Sequence, residues 1–572
     1  MRSKKKKTSF SRRIKFISIL YLCGLIFFAG RAGYLQILEG NKYKEKMLSQ
    51  SRQRVKISSK RGVIVDRKGH LMAVSLKVPS VYARPQEIEN PVAAAEKLSA
   101  ILDLPYQDVL SKLKMKTPFV WVKRWLTPWE AETIASSGIK GVYIHSEYKR
   151  HYPNKELAAP VLGFVGVDGE GLTGLEKYYD NYLRGENLEV LVEKDGKGNF
   201  IYIDPPDSSS EIKMVLTIDR DFQYEVEKVL RETMEEYRAK AGMAVFMDPR
   251  TGEILAMASY PTFNPNVFTR YSKDTYRNRT VTDIFEPGST FKVFTLAAGL
   301  EEKVINLSDQ IFCENGSMSI HDTTIADYRP FGWLTVKDVI VYSSNIGAAK
   351  MGWKIGTTVL GHYISEFGFG KKTGIDFPGE SPGLVKDFLK WVPVELSTIS
   401  FGQGIGVTAI QMLVGFSSIV NEGYTVKPFL VSSVIKNGVE VYKATPTFLR
   451  RVISKETAEK VKRVLVEVVE RGTGTAASVN GYFVGGKTGT SQKFDEEEGR
   501  YSKNKYISSF IGFAPFRDTK IIGILVIDEP RGEIYASKIA VPAFGKIISR
   551  AMSLYRIPYE REIKKAEVRY EE

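Results

Sequence analysis

The sequence predicts an α+β protein carried on one N-terminal membrane helix, and three observations lead there. An uncharged apolar run, Phe16 to Gly30, follows a strongly basic start. Between residues 41 and 205, short β-like runs alternate with stretches of helical periodicity. From about residue 213 to 560, strand patterns at both ends enclose a long helical stretch, as in an antiparallel sheet with helices inserted between its strands. At 572 residues the chain exceeds one ordinary domain of roughly 150 residues.

Residues 1–15, MRSKKKKTSFSRRIK, form a basic tail, and residues 16–38, FISILYLCGLIFFAG continuing into RAGYLQIL, form the transmembrane helix. The uncharged part is shorter than the roughly twenty residues needed to span, but Arg31 lies near its far end and can snorkel, and Tyr34 suits the interface. The positive-inside rule leaves Lys4 to Lys15 in the cytoplasm and places everything after residue 40 outside, a single pass through the cell (inner) membrane. A cleaved secretory signal has the same charged and apolar regions, but no clean A-x-A site is present after the run, which favours an uncleaved anchor. Nucleoside triphosphates are scarce on the outer side.

Residues 41–205 form an N-terminal domain with β-like RGVIVD, GVYIHS and LEVLVE and helical VAAAEKLSAIL. DPPDSSSE, Asp204 to Glu211, reads as a linker. Residues 213–560 form the second domain. It opens with a strand and an amphipathic helix in MVLTIDRDFQYEVEKVLRETMEEYRAK, continues with two strands across a DPRTGE turn, and turns helical from about 290 to 420. YISSFIGFAPFRDTKIIGILVIDEP and VPAFGKIISRAM close it as a hairpin and a helix, before a charged tail at 561–572.

Composition limits the function classes. With 43% hydrophobic and 26% charged residues, the chain has the make-up of a folded protein. Much of its net charge of +16 sits in the first fifteen residues, and the rest shows no zinc-finger spacing, RNP-like run or basic helical stripe, so nucleic-acid binding is not expected. Mild positive charge suits an anionic extracellular polymer. The two cysteines, Cys23 and Cys313, give no disulfide framework. His70, His145, His151, His321 and His362 show no metal-ligand spacing; no metal or cofactor is expected, and His151 is assigned to the packing of the N-terminal domain.

Candidate chemistry begins in FEPGSTFKVFTLAAGL, Phe285 to Leu300. After a Pro-Gly turn, Ser289 would stand at a helix N-terminus, where unpaired N–H groups favour developing negative charge. Lys292 lies one turn on, so its amine can approach the hydroxyl, and a desolvated lysine can take a serine's proton. S-x-x-K alone is weak: it recurs at Ser111, Ser146 and Ser433. Company in order strengthens it. VIVYSSNIGAAKMG supplies S-x-N at Ser343, Ser344 and Asn345, and KTGT comes later at Lys487, Thr488, Gly489 and Thr490. Both have decoys, S-x-N at Ser478 and K-T-G at Lys372, Thr373 and Gly374. The second K-T-G, preceded by apolar YFV and trailed by sheet-like runs, is the better edge strand, able to hold a carboxylate and lend an N–H to an oxyanion hole. GYFVGGKT also fits the phosphate-loop pattern, but the next residues, GTSQKFDEEEGRYSKNKY, read as a polar loop instead of a helix start, which removes the phosphate cradle.

S-x-x-K, S-x-N and K-T-G in that order resemble the penicillin-binding protein and serine β-lactamase superfamily. The flanks RGVIVDRKGHLMAVS, GLTGLEKYYDNYLRG, RNRTVTDIFEPGSTFK and SFGQGIGVTAIQM are similar to class B penicillin-binding proteins, the monofunctional transpeptidases. FEPGSTFK, YPTFNPN and DVIVYSSNIGAAKMG look more like the septal cell-division enzyme and its sporulation relative than the elongation type. The resemblance covers nearly the whole chain after the tail, and the tandem C-terminal domains of some relatives are not expected.

That resemblance implies an elongated pedestal domain at 41–205 and, at 213–560, a β-lactamase-like transpeptidase domain with an antiparallel sheet flanked by helices and an all-helical subdomain. It implies acyl transfer on the D-alanyl-D-alanine end of a peptidoglycan stem peptide: Ser289 as nucleophile, Lys292 as base, Ser343 as proton relay, Asn345 on the substrate amide. Lys487, with Thr488, Gly489 and Thr490, would bind the terminal carboxylate, and the backbone N–H groups of Ser289 and Thr490 would form the oxyanion hole. An amine from a neighbouring stem would resolve the acyl-enzyme; β-lactams would acylate Ser289. Expected partners are the membrane, a polytopic glycosyltransferase and other division proteins. The motifs leave open a D,D-carboxypeptidase or β-lactamase, in which water resolves the acyl-enzyme, and a scaffold or β-lactam sensor that only binds.

Overall fold

The basic start and the apolar run form one continuous helix in the computed structural model, α1 (Lys4–Gly33), closed by a π-helical turn, Tyr34–Leu38. Helicity extends back into the basic tail instead of starting at Phe16. Phe10–Leu38 is long and apolar enough to cross a membrane, and the Arg31 guanidinium lies 5.2 Å from the Tyr34 ring centroid. The structure describes residues 4–57, 60–184, 188–194, 200–201, 211–321, 323–495 and 499–562. Most of the predicted linker and the last ten residues of the predicted tail lie outside them.

The chain divides into two units, Met1–Ser59 with Glu186–Ser210, and Lys60–Gly185 with Glu211–Glu572. In the first, α1 and its π-turn lead to a helix, Gly40–Ser51, and to an antiparallel ribbon in which Arg52–Ile57 pairs with Leu188–Lys194.

The second unit contains two large sheets. The strands of both, in chain order, are β1 (Val63–Val65), β2 (Leu71–Ala83), β3 (Val120–Lys123), β4 (Val142–His151), β5 (Ile212–Leu216), β6 (Ala241–Met247), β7 (Ile254–Tyr260), β8 (Val431–Lys436), β9 (Val439–Lys443), β10 (Gly485–Asp495), β11 (Arg500–Ala514) and β12 (Ile521–Asp528). The first sheet has seven strands in the order β9-β8-β5-β1-β2-β3, with β4 also on β2. It is shared between the two stretches expected as separate domains: β1, near the start of one, runs parallel to β5, at the start of the other. Beside it, two of the motif-bearing flanks meet. Arg61, from RGVIVDRKGH, donates to Glu176 (2.6 Å) and Asp180 (2.6 Å), both from GLTGLEKYYDNYLRG, and Arg150 donates to the second Glu176 oxygen at 2.7 Å. Glu176 is fully buried, so two guanidiniums and a pair of charge-assisted bonds offset its desolvation. His151, expected in this packing, is an exposed strand end; its neighbour Tyr152 is the buried residue and donates to Glu176.

The second sheet, order β7-β6-β12-β11-β10, is antiparallel throughout and comes from both ends of its segment, as predicted. Its side chains alternate between two cores. Phe246, Phe510, Leu525 and Ile527 pack under α2 (Arg220–Glu236) and the closing helix Ala540–Leu554. Val245, Ile511, Phe513 and Ile524 face the helical region. There, α3 (Lys292–Glu301) is buried from Lys292 to Leu300, as a helix apolar on every side must be. The region is not all-helical: two short antiparallel pairs, Gln310–Phe312 with Trp333–Thr335 and Ser317–Ile320 with Thr323–Ala326, lie within it.

The stretch after K-T-G-T also differs from expectation. β10 continues to Asp495 and β11 begins at Arg500, with Gln492 opposite Tyr506 and Phe494 opposite Tyr501. Polar composition suggested a loop, yet an edge strand outside a core tolerates polar side chains, and Lys493 is held by Asp528 (2.8 Å) and Glu529 (2.7 Å).

Candidate active site

Ser289 lies in a 3₁₀ turn, Gly288–Phe291, that runs into α3 at Lys292, so the expected α-helix start falls three residues later. Gly288 takes φ +54°, a conformation that favours glycine. The turn is pinned by Thr290 Oγ1 donating to Pro287 O (2.7 Å) and Gly288 N donating to Gly402 O (3.0 Å). It lies along β10, the edge strand of its sheet. A Cβ on Gly489 would come 2.9 Å from both Pro287 O and Thr290 Cγ2. The glycine of K-T-G therefore lets the serine turn approach the strand.

Lys292 is fully buried, and its amine points at the S-x-N motif. Nζ donates to Ser343 O at 2.7 Å and Asn345 Oδ1 at 2.8 Å, with Ser343 Oγ at 3.3 Å. No hydrogen bond joins it to the Ser289 hydroxyl. Ser343 takes φ +63°, uncommon for a residue with a Cβ and the kind of local strain that clusters at functional sites. Ser344 turns away: its hydroxyl caps the helix α4 (Asn345–Ile355), accepting from Gly347 N at 2.9 Å and donating to Asp327 at 2.6 Å.

Lys487, equally buried, reaches the same serine from the other side: Nζ donates to Ser343 Oγ at 2.8 Å and to the carbonyl and hydroxyl oxygens of Thr488, each at 3.2 Å. Thr488 Oγ1 also meets Thr473 Oγ1 at 2.8 Å, whereas Thr490 Oγ1 accepts from Ala536 N at 3.0 Å. The structure thus brings Lys292, Ser343, Asn345, Lys487 and Thr488 into one network and sets Ser289 and Gly489 against its strand.

Among the described residues, neither lysine has a carboxylate within hydrogen-bond reach. Burial lowers the Lys292 amine to about 7, opposed by the negative charge of Asp327. Burial, and then the charge of Lys292, hold Lys487 well below the usual lysine range. Two amines around one hydroxyl cannot both be cations cheaply, so their protonation is coupled.

Three supporting residues carry no motif signal. Asp327 accepts from the backbone of Asn345 (2.5 Å) and Ile346 (3.2 Å), fixing the start of α4. Thr473 braces Thr488 from the turn after α5 (Lys455–Arg471). Glu286 accepts from Gly404 N (2.9 Å) and Tyr501 Oη (3.0 Å), and burial raises its carboxyl. Only the Glu-Pro-Gly-Ser adjacency of Glu286 could have flagged one of them; the other contacts are long-range.

The decoy K-T-G is built differently. Thr373 directs both its N–H and its hydroxyl to Glu380 at 2.6 Å, and Lys372 is exposed. Asp376 in the same loop accepts from Tyr179 Oη (2.8 Å) and from the backbone of Leu430 and Val431 (2.7 and 2.9 Å). This copy is a structural clasp.

Comparison with known proteins agrees with this geometry. Residues 242–549 match the penicillin-binding protein transpeptidase domain family, and residues 56–206 match the penicillin-binding protein dimerisation domain family. The chain is 35% identical over 554 residues to stage V sporulation protein D of Bacillus subtilis, covering 94% of this chain and 85% of that one. It is 31% identical over 555 residues to the peptidoglycan D,D-transpeptidase FtsI of Escherichia coli, covering 94% and 91%. A crystal structure of penicillin-binding protein 3 from Mycobacterium tuberculosis in complex with aztreonam superposes with a TM-score of 0.68 at 26% identity, over 88% of this chain and 98% of that one. With its motifs, fold and relatives in agreement, the chain belongs to the class B penicillin-binding proteins of the FtsI and stage V sporulation protein D type.

Proposed function

We propose that the chain is a serine D,D-transpeptidase that crosslinks peptidoglycan stem peptides in septal wall synthesis. The observation that carries this reading is the convergence of two fully buried lysines, 51 and 144 residues from Ser343 in sequence, on that one hydroxyl beside the Ser289 turn. Ser289 Oγ attacks the penultimate D-alanine carbonyl. Its proton passes to Lys292, which returns it through the Ser343 hydroxyl to the departing amine of the terminal D-alanine as the C–N bond breaks, leaving Lys292 neutral and Ser343 protonated as before. The N–H groups of Ser289 and Thr490 hold the oxyanion, and Asn345 binds the peptide amide. An amine of a neighbouring stem then attacks the ester, regenerating Ser289 and forming the crosslink.

Electrostatics give the substrate a part in its own activation. Lys487 spends its contacts on Ser343 and Thr488, so it meets the terminal carboxylate through the Thr488 hydroxyl. The arriving negative charge supplies the counter-ion the site lacks, stabilises the cation on Lys487 and so disfavours one on Lys292, leaving the latter free to act as base.

On this reading the N-terminus is cytoplasmic, the catalytic part lies outside the cell membrane, and a polytopic glycosyltransferase supplies the glycan strands. Fluorescent penicillin tests the chemistry: native protein should label covalently and Ser289→Ala should not, and a mutant that still labels would remove Ser289 as nucleophile. Depletion in the source cell tests the role. Filaments indicate septation; normal growth with defective spores would transfer the assignment to sporulation, which the 35% identity to stage V sporulation protein D also favours.

A further inference from the structure

One exposed cation near the site is held without a counter-charge. Arg329 lies two residues after Asp327, on the segment that fixes the start of α4. Its guanidinium carbon lies 4.7 Å from the Phe331 ring centroid, 5.4 Å from that of Tyr342 and 5.6 Å from that of Tyr328. Phe331 stacks on Tyr342 at 6.2 Å, and Tyr328 meets Phe331 edge-on at 5.6 Å. Among the described residues, the side chain of Arg329 makes no hydrogen bond or ion pair.

Arg471, whose guanidinium carbon lies 5.7 Å from the same Tyr342 ring centroid, shows the contrast. It donates to the Tyr342 hydroxyl at 3.0 Å and is neutralised by Asp338 (2.8 Å) and Glu467 (2.5 Å). Tyr342 therefore contacts both a paired arginine and one that is unpaired among the described residues. The position matters: Tyr342 immediately precedes Ser343, Asp327 holds Asn345, and Arg471 leads through Gly472 to Thr473, which touches Thr488. The ring cluster lies where the elements carrying S-x-N and K-T-G-T come together.

Rings that hold a guanidinium by its face leave its in-plane N–H groups free to grip a carboxylate with two parallel bonds, and they remove much of the side-chain entropy such a bond would cost. The terminal carboxylate of the donor is already served by Thr488 and Lys487. We propose that Arg329 binds a second carboxylate of the stem peptide, one further from the scissile bond, and so sets a preference for a free acid over an amide at that position. This inference rests on the transpeptidase reading.

The test uses full-length protein in detergent and two acyl-D-alanyl thiolesters that differ only in whether an internal side-chain carboxylate is free or amidated, with thiol release as the readout. The native protein should prefer the acid by about three- to tenfold in kcat/KM, mostly through KM. Arg329→Gln should abolish the preference while leaving the amide's kcat/KM and the rate of penicillin labelling within about twofold; Arg329→Lys, which keeps the charge but loses the fork, should retain part of it. A native protein without preference, or a preference that survives in Arg329→Gln, overturns the assignment. Failure of penicillin to label the native protein would instead remove the transpeptidase reading, and this inference with it.

Discussion

The chain contains the tripeptide Lys-Thr-Gly twice, at 372–374 and 487–489, and the copies share nothing beyond their letters. In the first, the lysine is exposed and the threonine is consumed by a carboxylate of its own loop, Glu380. In the second, the lysine is fully buried on an edge strand, the threonine joins a chain of hydroxyls, and the glycine admits the serine turn. A motif is thus a statement about environment. Desolvation turns an ordinary ammonium into a titrating group whose charge depends on what arrives.

The largest expected effect separates the copies directly. Lys487→Ala should slow penicillin acylation of Ser289 by about 10²–10³-fold, since it removes both the cation and the donor to Ser343; a loss below tenfold would mean that burial of this lysine has no catalytic consequence. Next comes pH. Only the uncharged Lys292 amine can accept the serine proton, and burial places its titration near 7. Acylation should therefore climb about tenfold per pH unit below 7 and level off above it, whereas a base with an ordinary lysine pKa would keep climbing through pH 9. Smaller again, Thr473→Val leaves Thr488 without its brace and should cost about three- to tenfold in acylation, with Thr473→Ser restoring it.

The first copy should answer in stability alone. Glu380→Ala strands the buried donors of Thr373 and should lower unfolding free energy by about 1–3 kcal/mol, seen as a reduced melting temperature with labelling per folded molecule intact. Lys372→Ala should change acylation by less than about twofold. A large effect there would dissolve the contrast between the two tripeptides.

Apolar runs around Lys487 were enough to assign that copy to a strand, because strand burial leaves a periodic trace. The five-stranded sheet assembled from both ends was legible for the same reason. What could not be read were contacts whose partners lie far apart in sequence and whose letters are common, such as Asp327 on Asn345 or Thr473 on Thr488. Polar composition misled at Ser491 to Asp495, where an edge strand runs past its core, and the packing role expected of His151 falls to its neighbour Tyr152. The 3₁₀ start at Ser289 escaped too, since a tight turn and a helix begin with the same Pro-Gly signal.

The seven-stranded sheet has a bearing on what counts as a module. Family matches divide the chain near residue 206 and suggest parts that evolution could exchange, but β1 is zipped between β5 and β2, so hydrogen bonds cross that division. A catalytic fragment beginning at Glu211 would open the edge of β5 to solvent and to other chains, a known route to aggregation. The segment that sequence comparison recognises as separate is thus, physically, the cover of its neighbour's open edge.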